Sequence, residues 1–277
     1  MKIYKSEIDS GLEDAIKASA SIQYASPVSI YIPSKKQKDS IKRLVVAQEN
    51  TLAEDKDQFD LYYLSSILVS TGWNKNDDVF DKSETWGAKD SPTNKQFNFM
   101  HDESDIIGHI TSSLVIDENG NEIQDSASVE KFDIATSAVL YNSWSSPELK
   151  ERMESIIAEI KEDKWFVSME CLFSDFDYAV ITPKNEHKVI SRDETSAFLT
   201  KHLRSYGGEG KYEGYTIGRL LRNIAFSGKG LVRNPANPRS VILNDVDPFE
   251  GSQAEQIINS SFKQENKDMS DVLKEQV

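Results

Sequence analysis

"WFVSMECLFSDFDYAVI", residues 165–181, decides what kind of fold this chain can adopt. Apolar and polar side chains alternate along its first half, a period of two rather than 3.6. Trp165, Val167, Met169, Cys171 and Phe173 share one face, and Phe166, Ser168, Glu170 and Leu172 share the other. The aromatic and branched residues suit a half-buried pleated surface, so the stretch reads as a long strand or a strand pair. A core serine bonded to backbone is the ordinary role for Ser168, and a nucleophile is the alternative. Cys171 points with Trp165 and Val167 into what reads as core, so it is read as packing.

The neighbouring segments extend a sheet. "LYYLSSILVSTG" (61–72) reads as a strand ending at Gly72, and "PVSIYIP" (27–33) as a shorter one. "KQFNFMH" reads as a strand with Phe97 and Phe99 apolar and His101 in step. In "IIGHITSSLVIDENGNEIQ", Asn119-Gly120 is a hairpin signal, because both residues tolerate positive φ; Ile110–Ile116 should pair with Asn121–Gln124. "IAFSGKGLV" is a glycine-punctuated strand, and "RNPANPRSVIL" a rigid, proline-set exit.

Helices lie between the strands. "SSPELKERMESIIAEIKEDK" is the clearest, with Ser145 and Glu148 at capping-box spacing, Pro147 in the first turn and an apolar stripe of Leu149, Met153, Ile156, Ile157 and Ile160. "NDDVFDKSETWGAKD" suits a short helix, and "SKKQKDSIKRLVVAQEN" a basic helix or loop. "SRDETSAFLTKHLRSYGG" reads as a helix opened by Ser191 and Glu194 and closed by Gly207, with "GGEGKYEGYTIG" a flexible loop after it. The expected class is α+β: a mainly antiparallel β-barrel or sheet surrounded by helices. Three regions are expected: an N-terminal extension over 1–26, a main domain over 27–247 and a polar tail over 248–277.

Composition narrows the partners. The chain has 277 residues, 38% hydrophobic, with a net charge of -14 and one cysteine. The acidity argues against direct nucleic-acid binding, which needs a basic footprint. One cysteine forms no intrachain disulfide and fits a reducing compartment. The first residues lack the apolar core of a signal peptide, and no apolar run is long enough to span a bilayer. The expectation is an acidic intracellular protein that engages no membrane.

"QFNFMHDESDIIGHI" (96–110) carries the His101-Asp102 step, in a chain with 4 histidines. A histidine at a strand end can act as a general base. His101, Asp102 and His109 match no standard zinc spacing, and "DENGNE" lacks the sixth-position glycine of a calcium loop. "GGEGK" lacks the spacing and hydroxyl of a phosphate-binding loop. No cofactor or metal is expected.

Taken in order, "GWNKNDDVF", "FNFMHDESDIIGHI", "FVSMECLF" and "GLVRNPANPRSVI" resemble the prohead (capsid maturation) serine proteases of tailed bacteriophages, which are similar in fold to the herpesvirus assemblins. The resemblance spans about residues 60 to 243. It implies an assemblin-like fold and a serine endopeptidase with His101 as general base and Ser168 as nucleophile. It also implies phage scaffold and capsid proteins as substrates, along with the chain itself, and a location in the host cytoplasm inside the assembling prohead. A homo-oligomer stays open.

For the third catalytic member there are two candidates. Glu170 lies on the face of Ser168 inside the family-like "SME", and His187 follows in the order assemblins use; Glu170 is preferred. Gly228 stands where many of these proteases carry an acid. The oxyanion-hole donors are not fixed by the sequence, with 207–218 and 228–230 as candidate segments. The rival reading is a non-catalytic capsid core or scaffold protein that retains the protease fold.

Overall fold

A computed structural model describes residues 1–18, 21–23, 60–233 and 242–243. In chain order its elements are α1 (Lys5–Asp9), α2 (Glu13–Ala18), β1 (Ser21–Gln23), β2 (Leu61–Ser70), β3 (Gly72–Trp73), β4 (Asp78–Phe80), α3 (Lys82–Gly87), β5 (Gln96–Phe99), β6 (Asp102–Ile116), β7 (Asp133–Tyr141), α4 (Pro147–Lys161), β8 (Phe166–Ile181), β9 (His187–Ile190), β10 (Lys211–Tyr212), β11 (Tyr215–Val232) and β12 (Ile242–Leu243). The expected strand at 27–33, the basic segment after it, most of the proline-set exit, the boundaries at 26 and 247 and the polar tail lie outside the described residues.

The architecture is one large, mostly antiparallel open sheet with few helices. Its main path runs β1-β8-β11-β5-β6-β7-β2-β12. β11 is the hub: it pairs antiparallel with β8 along nearly its whole length, and parallel with β4 and β5. The sheet curls, because Lys229 of β11 reaches Ser66 of β2 and Thr136 of β7 with its Nζ at 3.3 and 3.2 Å. α4 lays Met153, Ile156 and Ile160 against Val167 of β8 and Leu231 of β11, closing one core. The opposite end of β8 and β11 holds a second core around Cys171, Phe176, Tyr178 and Leu221.

Sequence signals fared unequally. The 165–181 stretch is a single strand, β8, with the faces its period dictates. The 147–161 helix forms, but its N-cap is Ser146 rather than Ser145, and Ser146 Oγ accepts from the Leu149 amide. Asn119-Gly120 does make a tight turn, with Gly120 at φ 80°, and a short antiparallel pairing follows: the Ile116–Glu122 bridge, with the Asp117 amide donating to the Asn121 carbonyl and the Ile123 amide to the Val115 carbonyl. Most of β6 pairs with β7, whose buried apolar face offers more than the polar 121–124 stretch.

Residues 191–207 are not an α-helix but two short 3₁₀ segments, 197–202 and 204–206. The Asp193 side chain caps the Thr195 and Ser196 amides there, a local turn that uses the same residue types as a helix start. The expected helix near 75–90 is half strand: β4, then α3 capped by Asp81. The stretch read as a flexible loop after Gly207 is the β10–β11 hairpin, turning at Glu213 and Gly214, both with positive φ.

Residues 1–18 pack into this framework. Glu7 is fully buried and takes Arg192 Nε and Nη2 at 2.9 and 2.8 Å, and Thr200 Oγ1 at 2.6 Å. Ile16 joins the Cys171 core. Arg219 pairs with Asp78 in the same way.

Lys229 differs from both arginines. It is fully buried, lies over the Phe97 ring at 4.7 Å and meets hydroxyls rather than a carboxylate. Burial pulls its ammonium down from 10.5 to about 7. The unfolded chain therefore holds this proton between pH 7 and 10.5 while the folded one releases it, so stability rises with pH across that window and the full cost is borne below it. Lys229→Met should stabilise the protein by roughly 1–4 kcal/mol near pH 6. The gain should shrink toward pH 10, and thermal melts of both proteins at the two pH values read the difference.

Candidate active site

The site is built on three adjacent strands. Gly230 of β11 is the register partner of Ser168 on β8 and of Asn98 on β5; Gly228 likewise pairs with Glu170 and Gln96. All six positions share one face of the sheet. The other face carries Met169, Lys229 and Phe97, one row lying between the two polar ones. Two polar rows thus cross the sheet, each with a glycine in the middle.

Those glycines make room. A Cβ on Gly230 would lie 2.8 Å from His101 Nδ1 and 2.9 Å from Asn98 Oδ1, and one on Gly228 would lie 2.7 Å from Glu170 Oε2. Both are closer than side-chain carbons approach, so the imidazole and the carboxylate rest directly on the β11 backbone. β11 is flanked by β8 and β5 and its amides are committed to those ladders, so 228–230 forms a platform rather than a set of free oxyanion donors. The other glycine-rich candidate, 207–218, lies at the opposite end of β11.

His101 is not on a strand. Phe99 pairs with Asp102, so Met100 and His101 are the two central residues of a β5–β6 hairpin turn. Their φ values are 54° and 61°, the left-handed pair of a type I′ turn, which Asn-Gly normally fills. The turn is pinned to β11 by the Met100 amide, which donates to the Leu231 carbonyl at 3.0 Å. Strain of this kind is found where a side chain must be aimed, and here it aims the imidazole over Gly230.

The imidazole meets Glu170. His101 Nδ1 and Glu170 Oε1 are 2.9 Å apart, with side-chain exposures of 7% and 4%. The same oxygen accepts from Asn98 Nδ2 at 2.5 Å, and Oε2 accepts from Gln96 Nε2 at 3.2 Å. Burial pushes the Glu170 carboxyl up; the hydrogen bonds from His101, Asn98 and Gln96 and the charge of His101 together bring it below its ordinary value. The group is held as an ionised acceptor.

Three sequence candidates therefore converge: Ser168 and Glu170 on one strand face, and His101 against Glu170 beside the Ser168 row. Glu170 reaches His101 across Gly228 and Gly230 because those positions carry no side chains. His187 does not converge. It is exposed on β9 opposite Ile181, at the far end of β8. Cys171 is buried and its thiol is pushed up to about 12, chiefly by burial. Asp102 caps Ser104 at the surface, and His109 Nδ1 lies 3.2 Å from Tyr141 Oη. No group of three potential metal ligands occurs among the described residues. Gln96 and Asn98 are the members that sequence reasoning missed; the alternation placed them on the face opposite Phe97 and Phe99, and that was the available signal.

No family model, curated protein or solved structure matches the chain.

The turn strain is testable. Asn occupies left-handed backbone at lower cost than Met, and the Met100 side chain is half exposed. Met100→Asn should raise stability by about 1 kcal/mol without moving His101, as read by the denaturant midpoint and the His101 imidazole NMR signals.

Proposed function

We propose that this chain is a serine endopeptidase of the phage prohead-maturation kind, cleaving scaffold and capsid proteins and itself inside the assembling particle, on a curled, assemblin-like sheet. One observation carries the reading: the 2.9 Å contact of His101 Nδ1 with the Glu170 carboxylate, in the row next to Ser168 on the same sheet face. A carboxylate on Nδ1 fixes the tautomer and leaves Nε2 as the nitrogen that takes a proton.

In the reaction, Ser168 Oγ adds to the scissile carbonyl carbon as its proton passes to His101 Nε2. Glu170 stabilises the imidazolium without taking the proton. Collapse of the tetrahedral intermediate breaks the C–N bond, and His101 returns the proton to the leaving amine. Water then hydrolyses the acyl ester by the same steps in reverse roles. Ser168 and Glu170 on β8, and His101 in a turn pinned to the neighbouring β11, give the geometry a rigid frame.

Ser168 is only 2% exposed. In this reading the described state is shut to a peptide, which suits an enzyme that must wait for its particle to assemble. The lack of an acid at Gly228 fits too, since Glu170 occupies the space such a side chain would need.

Co-expression with the neighbouring capsid and scaffold genes, scored by gel, tests the proposal. Ser168→Ala should leave the fold intact and stop processing, a loss of several orders of magnitude in rate. Cys171→Ser should process normally. Gly230→Ala should fold and yet fail, because its methyl group displaces the imidazole. Processing that survives Ser168→Ala would remove the enzyme reading and leave the non-catalytic capsid core.

A further inference from the structure

Glu170 is an unusual third member, because it stands on the nucleophile's own strand and must lean across β11 to reach His101. A glutamate has three side-chain torsions, and nothing on β11 walls it in, since the facing positions are Gly228 and Gly230. Left alone on a bare backbone it could sample several rotamers. Two amides from β5 close that freedom. Asn98 is fully buried and donates to the oxygen that meets His101; Gln96, half-buried, donates to the other.

We propose that Asn98, seconded by Gln96, is a positioning residue of this site: the pair clamps the two Glu170 oxygens from β5, so that one carboxylate oxygen stays aimed at His101 Nδ1. The proposal rests on the protease reading for its catalytic meaning, though not for its geometry. Asn98 Nδ2 and His101 Nδ1 converge on Oε1, so that oxygen receives two donors in a nearly dry setting. Among the described residues Asn98 Oδ1 has no hydrogen-bond partner, and it lies as close to the vacant Gly230 side-chain position as the imidazole edge does. An orphaned buried acceptor is costly. Its retention beside the imidazole marks Asn98 as held for its donor end rather than for packing.

β1 flanks Glu170 on the other side of β8, with Gln23 as its register partner, and the remaining described groups around the carboxylate are these. From β5 they are Gln96 and Asn98, from β11 the two glycines, and from the β5–β6 turn His101, the titratable neighbour. Lys229 is turned to the opposite face. Removing a donor from an ionised carboxylate favours its protonated form, so the Glu170 titration should move to higher pH.

The test uses the full chain with Ser168→Ala, to prevent self-cleavage, and follows the Glu170 carboxyl carbon by NMR through a pH titration. Asn98→Ala should move its midpoint up by about one pH unit and Gln96→Ala by less. Asn98→Leu, close to asparagine in bulk but unable to donate, should shift the midpoint as far as alanine does, which a packing role would not do. In chains that retain Ser168, Asn98→Ala should slow self-cleavage by about 10–100-fold, with the leucine variant no faster. An unmoved Glu170 midpoint in both folded variants overturns the proposal. Should Asn98→Ala not fold, Gln96→Ala decides alone by the same criterion. A shifted midpoint in a protein that cleaves nothing would sink the protease reading and leave the clamp standing.

Discussion

The site depends on two missing side chains. β11 lies between the strand of Ser168 and Glu170 and the strand of Gln96 and Asn98, and in both rows its residue is glycine. With any larger residue there, β8 and β5 would face each other across a ridge. With glycine the polar groups of the outer strands meet above the backbone, and the imidazole from the adjoining turn drops into the gap. Glycine inside a strand normally weakens it by entropy and lost packing. Here β11 can carry that cost because it is the longest strand and has partners on both sides.

How much of this is legible in the sequence depends on the distance over which each signal acts. The alternation of 165–181 is local, and it correctly puts Ser168 and Glu170 on one face and Cys171 on the other. The site of His101 was half legible. Its place at the end of "KQFNFMH" is evident, but Met-His carries none of the Asn or Gly chemistry that announces a type I′ turn, so the turn is dictated by the β5–β6–β11 framework instead. The Asn119-Gly120 signal was real as a turn and as the start of a hairpin, but the pairing stops within a few residues, because most of β6 pairs with β7 through burial between distant segments. Ser191 and Glu194 resembled a helix cap, since the residues that cap helices also stabilise isolated turns.

The buried cations show what an acidic chain does with its few interior positive charges. Arg192 and Arg219 each meet carboxylates through forked hydrogen bonds, with Glu7 and Asp78 as partners. Both link segments far apart in sequence, so they fix topology as well as charge. Among the described residues Lys229 meets the Ser66 and Thr136 hydroxyls and the Phe97 ring. It sits between the two site glycines on the reverse face, where a lysine's long stem fills the interior that the glycines leave thin on their side.

The Glu7–Arg192 pair joins α1 to a residue about two thirds of the way along the chain. During synthesis α1 is made before Arg192, and its carboxylate waits for a guanidinium made 185 positions later. β11 comes later still, and until it is inserted β8 and β5 have no common neighbour and His101 has no platform. A nascent chain thus cannot assemble this constellation piecemeal, since local hairpins form early while the long-range pairings come last. Chain order itself acts as a clock: His101, Ser168 and Glu170 meet only once β11 has been made.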